Sequence, residues 1–287
     1  MKYPRINYMN IARTTGNFEY ILRSGCQILY LISGDVRYFV ENQVYELEPS
    51  DIIITNQSEI HKPTFTSNKT YERITLEFDP VFYSQFSTES FDLLACFYNR
   101  NSGAGNRIRL AEEDDARIRE LFSRFEQAYE GSEDSRDVQM NAILIEILVL
   151  LNKAASPIDE DMRGNMSRLV TDVIDYIEEN LDADLSLEAL ENVFYVSGEH
   201  ICRSFKAETG ITIHKFIVKK RVAYAKRLLA ADMPVTEVMQ LCGYSDLSNF
   251  IRSFKKHVGL TPGEYKKDPD LLRLQALHKV AERSALK

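Results

Sequence analysis

Two arginines stand at equivalent places in a segment that the chain writes twice. "RSFKAETGIT" begins at Arg203 and "RSFKKHVGLT" at Arg252, so Phe205 and Phe254 lie 49 positions apart. On a helix, Phe250 and Phe254 are four residues apart and share a face, whereas Arg252 points about 200° away from Phe254. Asn249 and Ser248 join Arg252 on that outer face, and the equivalent outward residues of the first copy are Glu199, His200 and Arg203. Arginine can donate two parallel bonds to guanine O6 and N7, and asparagine can do the same with adenine; each good pair discriminates by roughly 1 to 3 kcal/mol. Lys206, Lys255 and Lys256 flank these positions. Their ammonium groups suit phosphates, which add salt-dependent affinity without sequence preference. The residue types therefore point to two helices that read base edges in duplex DNA.

Such side chains need a frame that presents them. In "VTEVMQLCGYSDLSNFIRSFKKHVG" a short helix with Val235 and Val238 inward precedes Gly243, and Ser245 is the expected N-cap of a longer helix that Gly259 stops. The first copy has Leu187 and Leu190 inward, Ser197 as N-cap, Ile201 and Phe205 on the core face, and Gly210 at its end. Both read as helix-turn-helix units. The intervening "HKFIVKKRVAYAKRLLAAD" predicts one helix, able to hold the two reading helices roughly 34 Å, one turn of DNA, apart.

Charge is divided along the chain in the sense this reading requires. From Ser197 onward there are 17 Lys and Arg against 9 Asp and Glu, a balance of +8, while the first 196 residues carry −16. With 287 residues, 44% hydrophobic and 27% charged, the chain can build two or three cores. Its longest apolar run, Ala142 to Leu151, is interrupted by Glu146 and falls short of the roughly 20 residues that span a bilayer. "MKYPRINYMNIARTTG" lacks the pattern of a secretory signal. No membrane association is expected, and the cytoplasm is the expected location. Cys26, Cys96, Cys202 and Cys242 are scattered without C-x-x-C spacing, which predicts reduced thiols and no zinc site.

From Gln27 to Phe78, short β-branched and aromatic runs alternate with Gly34, Asn42, Pro49, Asn56 and Pro63, predicting an antiparallel sandwich or small barrel. In "ARIRELFSRFEQAY" the apolar residues Ile118, Leu121, Phe122, Phe125 and Tyr129 form one helical stripe. "DVQMNAILIEILVLLN" is apolar nearly all round, so it is expected to be buried against the barrel or against a second subunit. The polar stretch Lys153–Ser167, with Pro157 and Gly164, predicts a linker. The expected fold class is α+β: a strand barrel with a helical hairpin over 1–155, a linker over 156–167, and a helical domain of two helix-turn-helix units over 168–287.

The region from Leu185 to Tyr265 resembles the C-terminal domain of the AraC/XylS family of bacterial transcription regulators. The resemblance is carried by "LSLEAL", "SGEHICRSFKAETG", "RVAYAKRLL" and "VTEVMQLCGYSDLSNFIRSFKKHVGLTPGEY". It implies base-reading positions at Glu199, Cys202 and Arg203 in the first unit and at Leu247, Ser248, Asn249 and Arg252 in the second; helical periodicity adds His200. Ser197, Lys206, Ser245, Lys255 and Lys256 are the expected phosphate contacts. The first unit departs from the pattern: Tyr195 stands where glycine usually makes the turn, and Glu191 occupies a small alanine position, which Met239 fills in the second. A carboxylate there must reach solvent or find a partner. The second unit is therefore expected to carry more of the specificity.

The N-terminal half resembles, through "LEPSDIIITNQSEIHKPTF", the cupin-like effector domain common in that family, with Ser50 in place of the usual glycine. Metal-dependent cupins need several histidines and a carboxylate, and this half holds one histidine, His61. No metal and no cofactor are expected. The resemblance implies a small-molecule effector such as a sugar, with Arg23, Tyr30, Tyr38, His61 and Arg73 as candidate contacts. It also implies a homodimer through the helices of residues 111 to 152, double-stranded promoter DNA and RNA polymerase as partners, activation of transcription, and no enzymatic activity. The alternative is the same DNA-binding module joined to a cupin-type or DNA-repair enzyme using a reactive cysteine.

Overall fold

The structure is a computed structural model that describes residues 6–13, 25–57, 59–100, 103–132, 134–155 and 166–267. Among the described residues, eight antiparallel strands form two sheets in the N-terminal half. The larger has the order β1 (Asn7–Arg13), β7 (Tyr71–Phe78), β2 (Cys26–Ser33), β5 (Ile52–Thr55), β8 (Arg107–Ile108), and the smaller has β4 (Gln43–Leu47), β3 (Val36–Val40), β6 (His61–Phe65). Side chains alternate between faces along each strand. Leu29, Leu31, Ile53 and Tyr71 of the large sheet accordingly meet Val36, Tyr38, Val40 and Tyr45 of the small one in a common interior. The expected strands are present, and β1, β6 and β8 add to them; Pro63, expected as a break between strands, lies within β6 opposite Tyr38, on an edge strand where its missing N–H is tolerated.

The other face of the large sheet is apolar as well. Ile28, Tyr30, Ile52, Ile54, Leu76 and Phe78 pack beneath α3 (Glu112–Glu130) and α4 (Arg136–Ala154). A sheet covered on both faces gives continuous apolar runs, which is why "QILYLIS" shows no alternation. Two short helices, α1 (Pro80–Ser84) and α2 (Ala95–Tyr98), lead into this layer. Helix α4 buries most of its apolar surface within the chain, with Met140, Ile143, Leu144, Ile147, Leu148 and Leu151 in the same core, while Val138 and Ala142 stay exposed.

From residue 166 to residue 267 the chain is helical: α5 (Arg168–Glu179), α6 (Leu187–Phe194), α7 (Gly198–Thr209), α8 (Ile213–Ala230), α9 (Val235–Leu241), α10 (Leu247–Val258) and α11 (Pro262–Lys267). Most of the expected linker, residues 156–165, lies outside the described residues. Two cores fill this half. One gathers Val173, Ile177, Leu190, Ile201, Phe205 and Phe216; the other gathers Val222, Leu229, Val238, Phe250, Phe254 and Tyr265. Helix α8 contributes to both.

The first of these cores does not stop at the helices. Phe39 of β3, Val44 of β4 and Ile60 belong to it, and the ring of Phe39 meets that of Phe216 edge-on at 6.3 Å. Beside this contact Lys220 of α8 is almost fully enclosed; it pairs with Glu41 and, at 2.6 Å, with Glu178 Oε1. Glu41 is 1% exposed and also accepts the backbone N–H of Ile60. Removing one partner of a buried pair strands the other charge and costs about 3 to 5 kcal/mol, whereas replacing both by neutral groups of like shape is close to neutral. Denaturation of the full chain should therefore show Lys220→Met strongly destabilised and the double variant Glu41→Gln/Lys220→Met largely recovered. Equal losses in both would mean that Glu41 does not depend on Lys220.

Candidate nucleic-acid interface

In the first helix-turn-helix unit the turn without glycine is made by Tyr195 itself, in the left-handed conformation at φ 54° with 93% of the residue exposed. Glu191 finds both solutions open to it: the residue is exposed, and its Oε1 accepts the backbone N–H of Gly198. The carboxylate thus caps the positive N-terminus of α7. Gly198 makes room for it, since a Cβ there would lie 2.7 Å from Glu191 Oε1 and 3.3 Å from Leu187 Cβ. Ser197 caps the same helix by accepting from His200 N, and Gly210 ends it at φ 73°.

The second unit turns on Gly243 at φ 67°, where a Cβ would lie 2.5 Å from Leu181 O. Arg221 of α8 reaches under this turn and donates to Leu181 O at 3.0 Å and Ala183 O at 2.8 Å. The N-cap of α10 is Asp246, one residue later than the expected Ser245; Asp246 Oδ1 accepts from Asn249 N at 2.7 Å. Ser245 remains exposed in the turn, and Gly259 closes the helix at φ 87°.

The two reading faces differ in what they already bind. Glu199, His200 and Arg203 are exposed, but Arg203 Nη1 lies 3.7 Å from Glu199 Oε1 and its Nη2 3.5 Å from His200 Nδ1. Cys202 is half-buried against the first core. On α10, Leu247, Ser248, Asn249 and Arg252 are all exposed, and Arg252 forms no ion pair among the described residues. Lys206, Lys255 and Lys256 are exposed beside these faces. Helices α7 and α10 border a cleft of about 1110 Å³ floored by α8, with Lys206, Lys215, Lys219, Asn249, Arg252 and Lys256 among its walls. Burial, followed by the nearby Lys215 and Lys62, pushes the Lys219 ammonium down to about 8.

Of the expected effector contacts, Tyr38, His61 and Arg73 are gathered at the interior of the strand domain. The rings of Tyr38 and His61 stack at 6.1 Å, and the Arg73 guanidinium sits 4.9 Å from the centre of the Tyr71 ring. Tyr71 was not anticipated; its place two residues before Arg73 on one strand puts the two on one face. Tyr30 lies on the opposite face, where its hydroxyl donates to Asp115 Oδ1 at 2.9 Å and its ring packs on Phe122, so it is a contact to α3. Arg23 lies outside the described residues. Ser50 takes the backbone conformation of the glycine it replaces, at φ 75°. Among the described residues no three His, Cys, Asp or Glu side chains gather as metal ligands, and no helix is long and apolar enough to cross a membrane. Burial pushes the thiols of Cys96 and Cys242 up to about 12 and also raises that of Cys26. Such thiols are poor nucleophiles.

Residues 13–148 match the AraC-like ligand binding domain, and residues 190–268 match a helix-turn-helix domain. A probable transcriptional regulator of Photobacterium leiognathi, LumQ, is 27% identical over 91% of this chain and 95% of its own length. An uncharacterised HTH-type transcriptional regulator of Staphylococcus aureus (strain COL) is 22% identical over 91% of this chain, which spans 34% of that longer protein. The HTH-type transcriptional activator RhaS of Enterobacter sp. (strain 638) is 27% identical over 53% of this chain and 54% of its own.

Left-handed backbone costs a non-glycine residue about 1 to 2 kcal/mol, and glycine gives back roughly 0.5 to 1 kcal/mol of that in unfolded-chain entropy. With its side chain almost wholly in solvent, Tyr195→Gly should stabilise the chain by about 0.5 to 1 kcal/mol. Chemical denaturation measures this. A loss of stability would show that the Tyr195 ring contributes more than its backbone costs.

Proposed function

We propose that this chain, a member of the AraC/XylS family of transcriptional regulators through both of its domains, activates transcription from promoter DNA that it reads chiefly with α10. One observation carries the reading. Asn249 and Arg252 are exposed with Arg252 unpaired among the described residues, while the corresponding Arg203 already shares its charge with Glu199. The similarity to RhaS, named as an activator, supports the sign of regulation. An activator of this kind contacts RNA polymerase and works at the nucleoid.

The strand domain binds a small polar effector, with a sugar as the preferred class. Tyr38 and Tyr71 supply aromatic faces, and His61 and Arg73 supply polar groups at the same interior. The regulator is a homodimer through α4. Val138, Ala142, Ile145 and Val149 recur at spacings of four, three and four, and they remain exposed or half-exposed along one stripe. Burial that raises the thiols of Cys26, Cys96 and Cys242 supports this reading over one with a reactive cysteine.

Titration of the full chain with its own upstream DNA tests the reading helix. Arg252→Ala should cost about 1 to 3 kcal/mol and relax preference at one base position, while Lys255→Ala should weaken all sequences alike and reduce the salt slope by about one. An Arg252→Ala variant with unchanged affinity and base preference would remove α10 as the reader. A thermal-shift panel of sugars and organic acids tests the sensor: a ligand present at a hundred times its Kd stabilises by about 2.7 kcal/mol. The shift should vanish in Arg73→Ala. A shift that survives that substitution would place the ligand elsewhere.

A further inference from the structure

The two glycines that end the repeated segment have different surroundings. A Cβ built at Gly259 would meet nothing within 4 Å, whereas one at Gly210 would lie 2.7 Å from Thr64 Oγ1 and 3.8 Å from Lys62 Nζ. Both neighbours belong to β6 of the effector domain. Their direction is set by register: Phe39 pairs with Val44 on one side and with Lys62 on the other, so the three form a row across the small sheet. Phe39 is buried against Phe216, which turns the whole row toward the helices. Lys62 then extends along the end of α7 and donates from Nζ to Gly210 O at 2.8 Å.

This places an effector-domain cation on the wall of the cleft between the two reading helices. The cleft is lined by seven Lys and Arg and, among the described residues, by no Asp or Glu; Lys62 is its contribution from the strand domain. The reading residues Asn249 and Arg252 line the same cleft, and so does the first turn of α8. Backbone N–H groups in a helix's first turn attract anions.

We propose that this cleft receives the DNA backbone and that Lys62 is one of its phosphate ligands, so that the effector domain itself touches the DNA. The inference rests on the DNA-binding reading above. Burial, with Lys215 and Lys206 close by, holds the Lys62 ammonium below the usual lysine range, and Lys219 is displaced in the same direction. The protein alone therefore holds like charges together at some cost, and a polyanion relieves it. The strand supplies the link to the sensor. His61, stacked on Tyr38, and Lys62 are consecutive on β6 and face opposite sides of the sheet. Any ligand that moves β6 from the interior moves a phosphate contact.

The experiment is the salt dependence of binding by the full chain to a fluorescent mixed-sequence duplex and to its own upstream DNA. Lys62→Gln keeps a donor for Gly210 O and removes the charge. It should weaken both DNAs alike and lower the magnitude of the salt slope by about 0.9, while Lys62→Arg keeps the wild-type slope. Three results would overturn the proposal. These are a slope unchanged by Lys62→Gln where Lys255→Ala lowers it; a loss of melting temperature alone, which makes Lys62 a cap of α7; and tighter binding, which makes it a restraint. If the wild-type chain shows no salt-dependent binding at all, the DNA-binding reading itself fails.

Discussion

The arrangement depends on one small sheet that contributes to a different core from each of its faces. Strands β3 and β4 send Tyr38, Val40 and Tyr45 into the interior of the strand domain, and Phe39 and Val44 into the first core of the helical half. With a period of two residues, a slip of one position would exchange these sets and leave neither core filled. The sheet's register is thus held from both sides. It fixes where the effector interior lies relative to α7 and α8, and which side chains of β6 meet the helices.

The polar contacts across this junction differ from the apolar ones in how they respond to change. Apolar burial between Phe39 and Phe216 is non-directional and tolerates small shifts. The Lys220 contacts to Glu41 and Glu178 are enclosed, and desolvated ions depend on close partners. A small displacement of β3 therefore changes the polar term more than the apolar one. Such a junction has the properties expected of a coupling element, in which one site biases the arrangement of another.

Much of the helical half is legible in the sequence because its determinants are local. The repeat, its inward phenylalanines and its stop glycines follow from helical periodicity and caps within a dozen residues. Two local substitutions were legible only as problems. The structure answers them with an exposed Tyr195 in the left-handed region and with Glu191 capping α7 beside a glycine that leaves it space. Ser245 and Asp246 are adjacent capping residues, and it is Asp246 whose side chain accepts from Asn249 N. The strand half was legible as strands but less so as faces. Tyr30 and Tyr38 look alike in sequence, yet α3 covers one and the interior holds the other. Contacts such as Lys62 to Gly210, 148 residues apart, carry no local signal.

The duplication itself ends in different roles for its two copies. At Gly259 glycine answers a backbone need alone, since the space around it is open; at Gly210 it answers the same need and also leaves room for Thr64 and Lys62. The first copy is therefore the one that the effector domain holds. It is also the copy whose arginine is engaged by its own Glu199. The second copy has an N-cap of its own, an exposed Asn249 and Arg252, and its own core on the far half of α8. Two helices with the same frame thus differ in their surroundings: the first meets the strand domain at its end, and the second exposes Asn249 and Arg252.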